Sequence, residues 1–291
     1  METLKKDNIF FSSNVMKLAD LIVTDNNERW DSWKTYNNRF FIVNHYNSIE
    51  SIKKSLVDVK NIMVKIDYIH YFEQKIMPHI TQPFNLITHL GDNEVNTTHV
   101  GILLNPLLLK WYGQNINFNH PKLTSLPIGI EDLYFARSDP DKLIELSQKK
   151  SKKKNLIYIN CGNTHPSRPI MQKKLVDMGY KIFPKTDWKN YMDIIAASKF
   201  VFCPRGNGID THRFWETYAA NSIPIILDEY YIERDFPDAT VLVVGDVNVL
   251  TPEFLEEKYC ELSENYNYDK KYLSIEYWKQ QILLEERVDP L

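Results

Sequence analysis

The 291-residue chain is 43% hydrophobic and 25% charged, long and apolar enough for two domains with separate cores and unlike a disordered chain. A formal net charge of −3 and few Lys/Arg clusters argue against a nucleic-acid binder, which needs a basic face. Three widely spaced cysteines, Cys161, Cys203 and Cys260, make neither a disulfide framework nor a CxxC metal site and fit a reducing compartment.

In the first thirty residues, Asp20, Asp25 and several Asn break up the apolar clusters. That pattern suits neither a signal peptide nor a transmembrane anchor and implies a soluble, cytoplasmic protein. Strands are expected at 39–43, 61–66, 84–88 and 123–128, with helices at 67–77 and 106–114. The strand at 84–88 runs into His89-Leu90-Gly91-Asp92-Asn93-Glu94. A carboxylate just past a strand end is a place for a general base, although Gly-Asp-Asn also forms turns with no further role. The aromatic pair in WYGQN, beginning at Trp111, and the segment LPIGIEDLYF at 126–135 follow. Buried aromatics at helical spacing belong to a core more often than to a binding surface.

A basic run, Lys149-Lys150-Ser151-Lys152-Lys153-Lys154, separates the halves and reads as a solvated linker, the alternative being a patch for anionic lipid or substrate. The domain boundary is placed within 131–154, giving an N-terminal domain over 1–140 and a C-terminal one over 155–250, with helices at 251–291 packing back across the junction. Beyond the linker, strand-length runs at 155–161, 180–183, 199–203, 223–227 and 239–244 alternate with helical stretches at 167–178, 187–197 and 210–220. Repeated βα units imply an α/β fold with a parallel sheet covered on both faces.

The segment from Ser198, SKFVFCPRGNGIDTHRFWETYAANSIPIILDE, carries the chemistry. Its strand ends at Cys203, and Arg205, Gly206, Asn207 and Gly208 form a turn ahead of a helix that Asp210 or Thr211 can cap. A loop and helix N-terminus at the carboxyl edge of a parallel sheet suit an anion. The loop is neither a Walker loop nor GxGxxG, which disfavours an NTPase or a dehydrogenase. His212 and Glu216 are four apart and Arg213 and Glu216 three apart, so each pair shares a face, either as a surface salt bridge or as ligand contacts. The loop after the first strand, with Asn163, Thr164, His165 and Arg168, opens on the same edge. Its polarity fits helix capping by Thr164 or Ser167 as well as contact of His165 and Arg168 with an anion.

The strand, the Pro204-Arg205-Gly206 turn, Arg213-Phe214 with Glu216 two residues on, and the turn before Ile223-Pro224-Ile225-Ile226-Leu227 resemble the nucleotide-sugar motif of exostosin-type glycosyltransferases, family 47-like. The resemblance covers about thirty residues closely and the rest of the second half by layout alone. It implies a GT-B fold, two Rossmann-like domains facing each other across a cleft, with Arg205 and Arg213 on the diphosphate and Glu216 on the ribose. Gly206, Asn207, Gly208, Asp210, Thr211 and His212 would complete that side, together with Asn163, Thr164, His165 and Arg168. Asp210-Thr211-His212 and Ala220-Asn221-Ser222 depart from the family pattern, leaving the donor sugar open and fucosyltransferase-like relatives in contention.

The implied reaction is transfer of a hexosyl or pentosyl group from a UDP- or GDP-linked sugar to a glycan or glycoconjugate hydroxyl, with inversion. It needs no metal, no cofactor beyond the nucleotide sugar, no nucleic acid and no membrane anchor. Asp92 is the expected base, with Glu94 and His89 as alternatives, and Trp111 would lie on the acceptor side. A nucleotide-sugar epimerase of this shape and a non-catalytic carbohydrate-binding protein are the rival readings.

Overall fold

The computed structural model describes residues 3–25, 39–44, 47–131, 138–228 and 232–285. Two compact units divide the chain, one formed by Ser12–Leu126 with Ile275–Leu291 and the other by Met1–Phe11 with Pro127–Ser274. The division falls just ahead of the 131–154 stretch suggested by the sequence, and each chain end joins the half remote from it in sequence.

The first unit holds a six-stranded sheet in the order β2-β1-β3-β4-β5-β6, every pair parallel. Its strands are β1 (Leu21–Thr24), β2 (Arg39–Ile42), β3 (Asn61–Lys65), β4 (Phe84–His89), β5 (Leu108–Gly113) and β6 (Leu123–Ser125). All six residues of β4 are buried, as expected of a parallel strand covered on both faces. Three expectations need correction. Residues 108–113 form a strand, not part of a helix over 106–114, because so short a run as LLKWYG shows no period to separate the two and here it pairs with β4 and β6. β1 lies in the N-terminal segment where no strand was expected. The 67–77 stretch is helical, but in short pieces whose hydrogen-bond pitch changes from 3-10 through α to π at Phe72–Ile76.

The second unit holds a four-stranded parallel sheet, β10-β9-β8-β7, built from β7 (Asn155–Tyr158), β8 (Ser198–Phe202), β9 (Ile223–Leu227) and β10 (Leu242–Val244). Helix α1 (Ile49–Ser55) belongs to the first unit. The second carries α2 (Pro140–Gln148), α3 (Ser167–Asp177), α4 (Trp188–Ala196), α5 (His212–Ala219) and α6 (Pro252–Glu264), and α7 (Ile275–Glu285) returns to the first. The fold class is therefore α/β, with two parallel sheets. The strand expected at 180–183 is absent: Phe183 N–H donates to Ile159 O at 2.9 Å, but no ladder forms, and Tyr180 is instead tied through its hydroxyl to Leu250 O at 2.6 Å.

The basic run is not simply a solvated linker. Lys153 Nζ donates to Ala196 O, Asn221 O and Ser222 Oγ at 2.9, 2.8 and 2.6 Å, and burial pushes its pKa down to about 8. Lys154 N–H donates to Ala197 O at 2.6 Å, leading the chain into β7.

Within the second unit, Phe10 O accepts from Ile130 N–H at 3.0 Å, and the backbone passes this contact through Gly129 at φ 78°. A Cβ on Gly129 would lie 2.5 Å from Phe10 O. Gly129→Ala combines that clash with left-handed strain, so a loss of more than ~1 kcal/mol is expected. Denaturant melts would show it as a lower midpoint at unchanged slope, and an unchanged midpoint would mean that the N-terminal residues do not pack as described.

Candidate functional site

The carboxyl edges of β7 and β8 open into two loops, 159–166 and 203–211, held together by one side chain. Arg168, in the first turn of α3, donates from Nε to Arg205 O at 2.7 Å, from Nη1 to Gly162 O at 3.1 Å and from Nη2 to Pro204 O at 2.9 Å. A Cβ on Gly206 would meet Arg168 Nη2 and Thr164 Oγ1 at 3.2 Å each, so glycine permits this close approach. Gly206 N–H donates to Gly208 O at 3.1 Å and tightens the second loop, while Arg205 Nη2 reaches Asn207 O at 3.4 Å. Asn163, Thr164 and Asn207 are exposed and Gly208 is buried.

Asp210 is turned into the protein. Its carboxylate accepts from Ile128 N–H at 2.6 Å, from Thr211 N–H at 2.7 Å and from Trp215 Nε1–H at 2.9 Å. Burial pushes its pKa up to about 6, against the pull of these hydrogen bonds. Its geometry suits holding the loop more than touching a ligand. Thr211 is the N-cap of α5, its hydroxyl accepting from Phe214 N–H at 3.4 Å. His212 Nδ1 lies 2.9 Å from Gly129 O and carries the proton there, because a carbonyl only accepts. His165 Nδ1 lies 2.7 Å from Ser167 Oγ and accepts from Ser167 N–H at 3.3 Å, a local cap at the start of α3.

Arg213 and Glu216 lie on the first turns of α5. Arg213 Nη1 donates to Asn160 O and, at 3.2 Å, to Cys161 Sγ, and its guanidinium lies 5.9 Å from the Tyr191 ring centroid. Its Nε is buried with no hydrogen-bond partner, and among the described residues no carboxylate pairs with it. A half-buried guanidinium stays charged, so this edge of the sheet carries positive potential beside a helix N-terminus. Glu216 is 5% exposed, and both its oxygens are engaged, accepting from Trp188 Nε1–H at 2.8 Å and Tyr191 hydroxyl at 2.9 Å. Burial pushes the Tyr191 pKa well up and keeps it a donor. The sequence reading missed Trp188 and Tyr191. Their i, i+3 spacing on α4 was visible, but nothing in it pointed to Glu216.

In the first unit, Asp92 is exposed on a turn pinned by Gln114 Nε2 to Gly91 O at 3.2 Å and Asn115 Nδ2 to Asp92 O at 3.3 Å. Glu94 is partly exposed and accepts from Asn117 Nδ2. His89 ends β4 at 1% exposure, which removes it as a group that meets an acceptor from solvent. Trp111 is corrected likewise: it is fully buried, with Nε1 donating to Thr88 Oγ1 at 2.9 Å, so neither ring face can take a sugar. Of the 126–135 segment, Leu126 and Ile130 are buried, and residues 132–135 lie outside the described residues. Among the described residues, no three His, Cys, Asp or Glu side chains are grouped to hold a metal ion, and no helix is long and apolar enough to cross a membrane.

No protein-family model matches the chain. A protein of Arabidopsis thaliana described as a probable glycosyltransferase is 32% identical over 132 residues, 40% of this chain. The match spans 27% of that relative's length. A glycosyltransferase from Rickettsia africae ESF-5 superposes with a TM-score of 0.49 and 12% identity over 94% of each chain. An alpha-glucosyltransferase, solved in complex with UDP and a 13-mer DNA containing a central A:G mismatch, gives a TM-score of 0.42 and 9% identity over 92% of this chain and 99% of that one. Both structural likenesses are too distant to say what this chain binds.

Proposed function

We propose that this chain is a glycosyltransferase of the GT-B type, exostosin-like in its donor motif, which moves a sugar from a nucleoside diphosphate to a hydroxyl of a glycan or glycoconjugate. The observation that carries this reading is Arg213, a partly exposed guanidinium with no carboxylate paired to it among the described residues, at the carboxyl edge of a parallel sheet and the N-terminus of α5. Such a group calls for an anion, and a diphosphate offers the oxygens to take it. The local sequence similarity to a probable glycosyltransferase supports the same class.

On this reading Arg213 and Arg205 neutralise the diphosphate, and Arg168 acts one step back by fixing the loop that carries Arg205. As the glycosidic bond breaks, negative charge grows on the leaving diphosphate, and fixed cations stabilise it there more than in the ground state. Glu216 meets the ribose hydroxyls through the acceptor sites left after Trp188 and Tyr191 are served, since a carboxylate has about four. Asp92 takes the acceptor's proton, and the sugar is transferred with inversion.

Because the cations are side chains, binding of UDP or GDP is expected to survive excess EDTA. Calorimetry with each nucleotide, with and without chelator, tests this. Binding that vanishes with EDTA and returns with one divalent ion would overturn the arginine-based account. Donor consumed at full rate with no acceptor present would favour an epimerase.

A further inference from the structure

Arg213 and Glu216 are three residues apart on α5, where helix geometry sets side chains next to one another and opposite charges pair. Here they do not. No ion pair joins them, and each is bonded elsewhere, Arg213 Nη1 to Asn160 O and Cys161 Sγ, and Glu216 to Trp188 Nε1 and the Tyr191 hydroxyl. That separation stands against a strong pull, because charges attract more in a partly buried setting than in water.

One side chain meets both groups. Tyr191 of α4 donates its hydroxyl to Glu216 Oε2 at 2.9 Å, and the Arg213 guanidinium lies over its ring, 5.9 Å from the centroid. A ring face attracts a guanidinium without using any of its N–H donors. Trp188, three residues earlier on α4, donates to Glu216 Oε1 at 2.8 Å, so the carboxylate is held at both oxygens by one helix. Arg213 Nη2, unlike Nε, is not closed over, and it bonds to no described residue.

The support is itself fixed. Asp187 caps α4 by accepting from Asn190 N–H at 3.0 Å. Ion pairs of Lys142 with Asp193 at 2.6 Å and of Lys189 with Asp139 at 2.7 Å tie α4 to α2 and to the residue that caps it. Tyr158, 2% exposed at the end of β7, packs its ring 5.8 Å from that of Tyr191.

We propose that Tyr191 is a positioning residue that keeps Glu216 from pairing with Arg213, so that the guanidinium stays open to a diphosphate. The proposal rests on the donor reading for the nucleoside, while its own claim concerns the diphosphate alone. Without the Tyr191 side chain, the carboxylate loses a donor and the ring between the charges is gone, so Glu216 closes on the arginine three residues away. An arriving anion then has to displace an internal carboxylate, and its affinity falls.

The test is calorimetry of the full chain at neutral pH and low salt with pyrophosphate, which has no ribose, and with UDP and GDP. The parent is expected to bind pyrophosphate at one site, and Arg213→Met to lose it. Tyr191→Leu is expected to weaken pyrophosphate binding about ten-fold, the effect of one charge-assisted hydrogen bond lost. Adding Glu216→Gln to that variant is expected to bring the affinity back to within about three-fold of the parent, because no carboxylate remains to capture the arginine. A tyrosine that only fills space would give no such rescue. Should Tyr191→Leu fail to fold, Tyr191→Phe keeps the ring and loses the tether, and it is expected to bind pyrophosphate several-fold more weakly, again with rescue by Glu216→Gln. The proposal is overturned by Tyr191 variants that bind pyrophosphate as the parent does, by a weakening that Glu216→Gln does not restore, or by pyrophosphate binding that survives in Arg213→Met. A parent that binds pyrophosphate but neither UDP nor GDP overturns the donor reading alone, and one that binds none of the three overturns both.

Discussion

Arg213→Met is expected to abolish stabilisation by UDP or GDP while leaving the ligand-free protein about as stable as before. The side chain loses Nη1 bonds to Asn160 O and Cys161 Sγ, which costs about 1 kcal/mol. Against that, the substitution removes a half-buried charge that no described carboxylate balances, a favourable change of similar size. Ligand binding has no such offset. Charge-assisted hydrogen bonds contribute roughly 1.5–3 kcal/mol each, so two lost contacts lower affinity by about 10²-fold or more. In thermal melts the parent gains about 2.7 kcal/mol at 100 times its dissociation constant, and the variant gains almost nothing at the same concentration. A variant that binds like the parent would make Arg213 a structural side chain and leave the donor reading without its main support.

Asp92→Asn is expected to lower kcat by about 10²–10⁴ with nucleotide affinity unchanged, the range spanned by removing a general base. Its side chain is exposed, and the pinning bonds from Gln114 and Asn115 go to backbone oxygens, so the melting temperature stays close to the parent's. Steady-state kinetics with a turned-over donor and acceptor, alongside calorimetry, separates the two effects. Near-normal kcat would pass the role to Glu94, whose carboxylate already accepts from Asn117.

The second unit was the more legible in sequence because its helices α2 to α6 run 8 to 13 residues, long enough to show their period between the short strands. β8, α5 and β9 all lie where SKFVF, HRFWETYA and IPIIL suggest. β5 was not legible, since LLKWYG has no alternation once both faces are buried. Within the site, the sequence placed both loops at the carboxyl edge of the sheet, where the structure has them, but did not show which of their side chains turn inward. Arg168 and Asp210 sit among the expected donor contacts, yet the first staples two loops through carbonyls and the second anchors its loop from inside. That distinction depends on which way each side chain turns, and spacing does not encode it. The burial of Lys270 was not legible for a related reason: a lysine in a polar stretch reads as solvated until rings such as that of Tyr218, from a distant helix, close over it.

The exchange of chain ends between the two units has a consequence for synthesis. Phe10 and Phe11 are made well before their partners, Leu273 O and Ile130, so they wait until most of the second unit has been translated. The first unit's sheet is complete by Ser125, yet α7, with Trp278 and Ile282 buried, is supplied only after residue 275. Translation at about 5–20 residues per second therefore leaves the earlier half waiting for roughly 7–30 seconds. During that interval, the apolar surface that Trp278 and Ile282 later cover stays open to water.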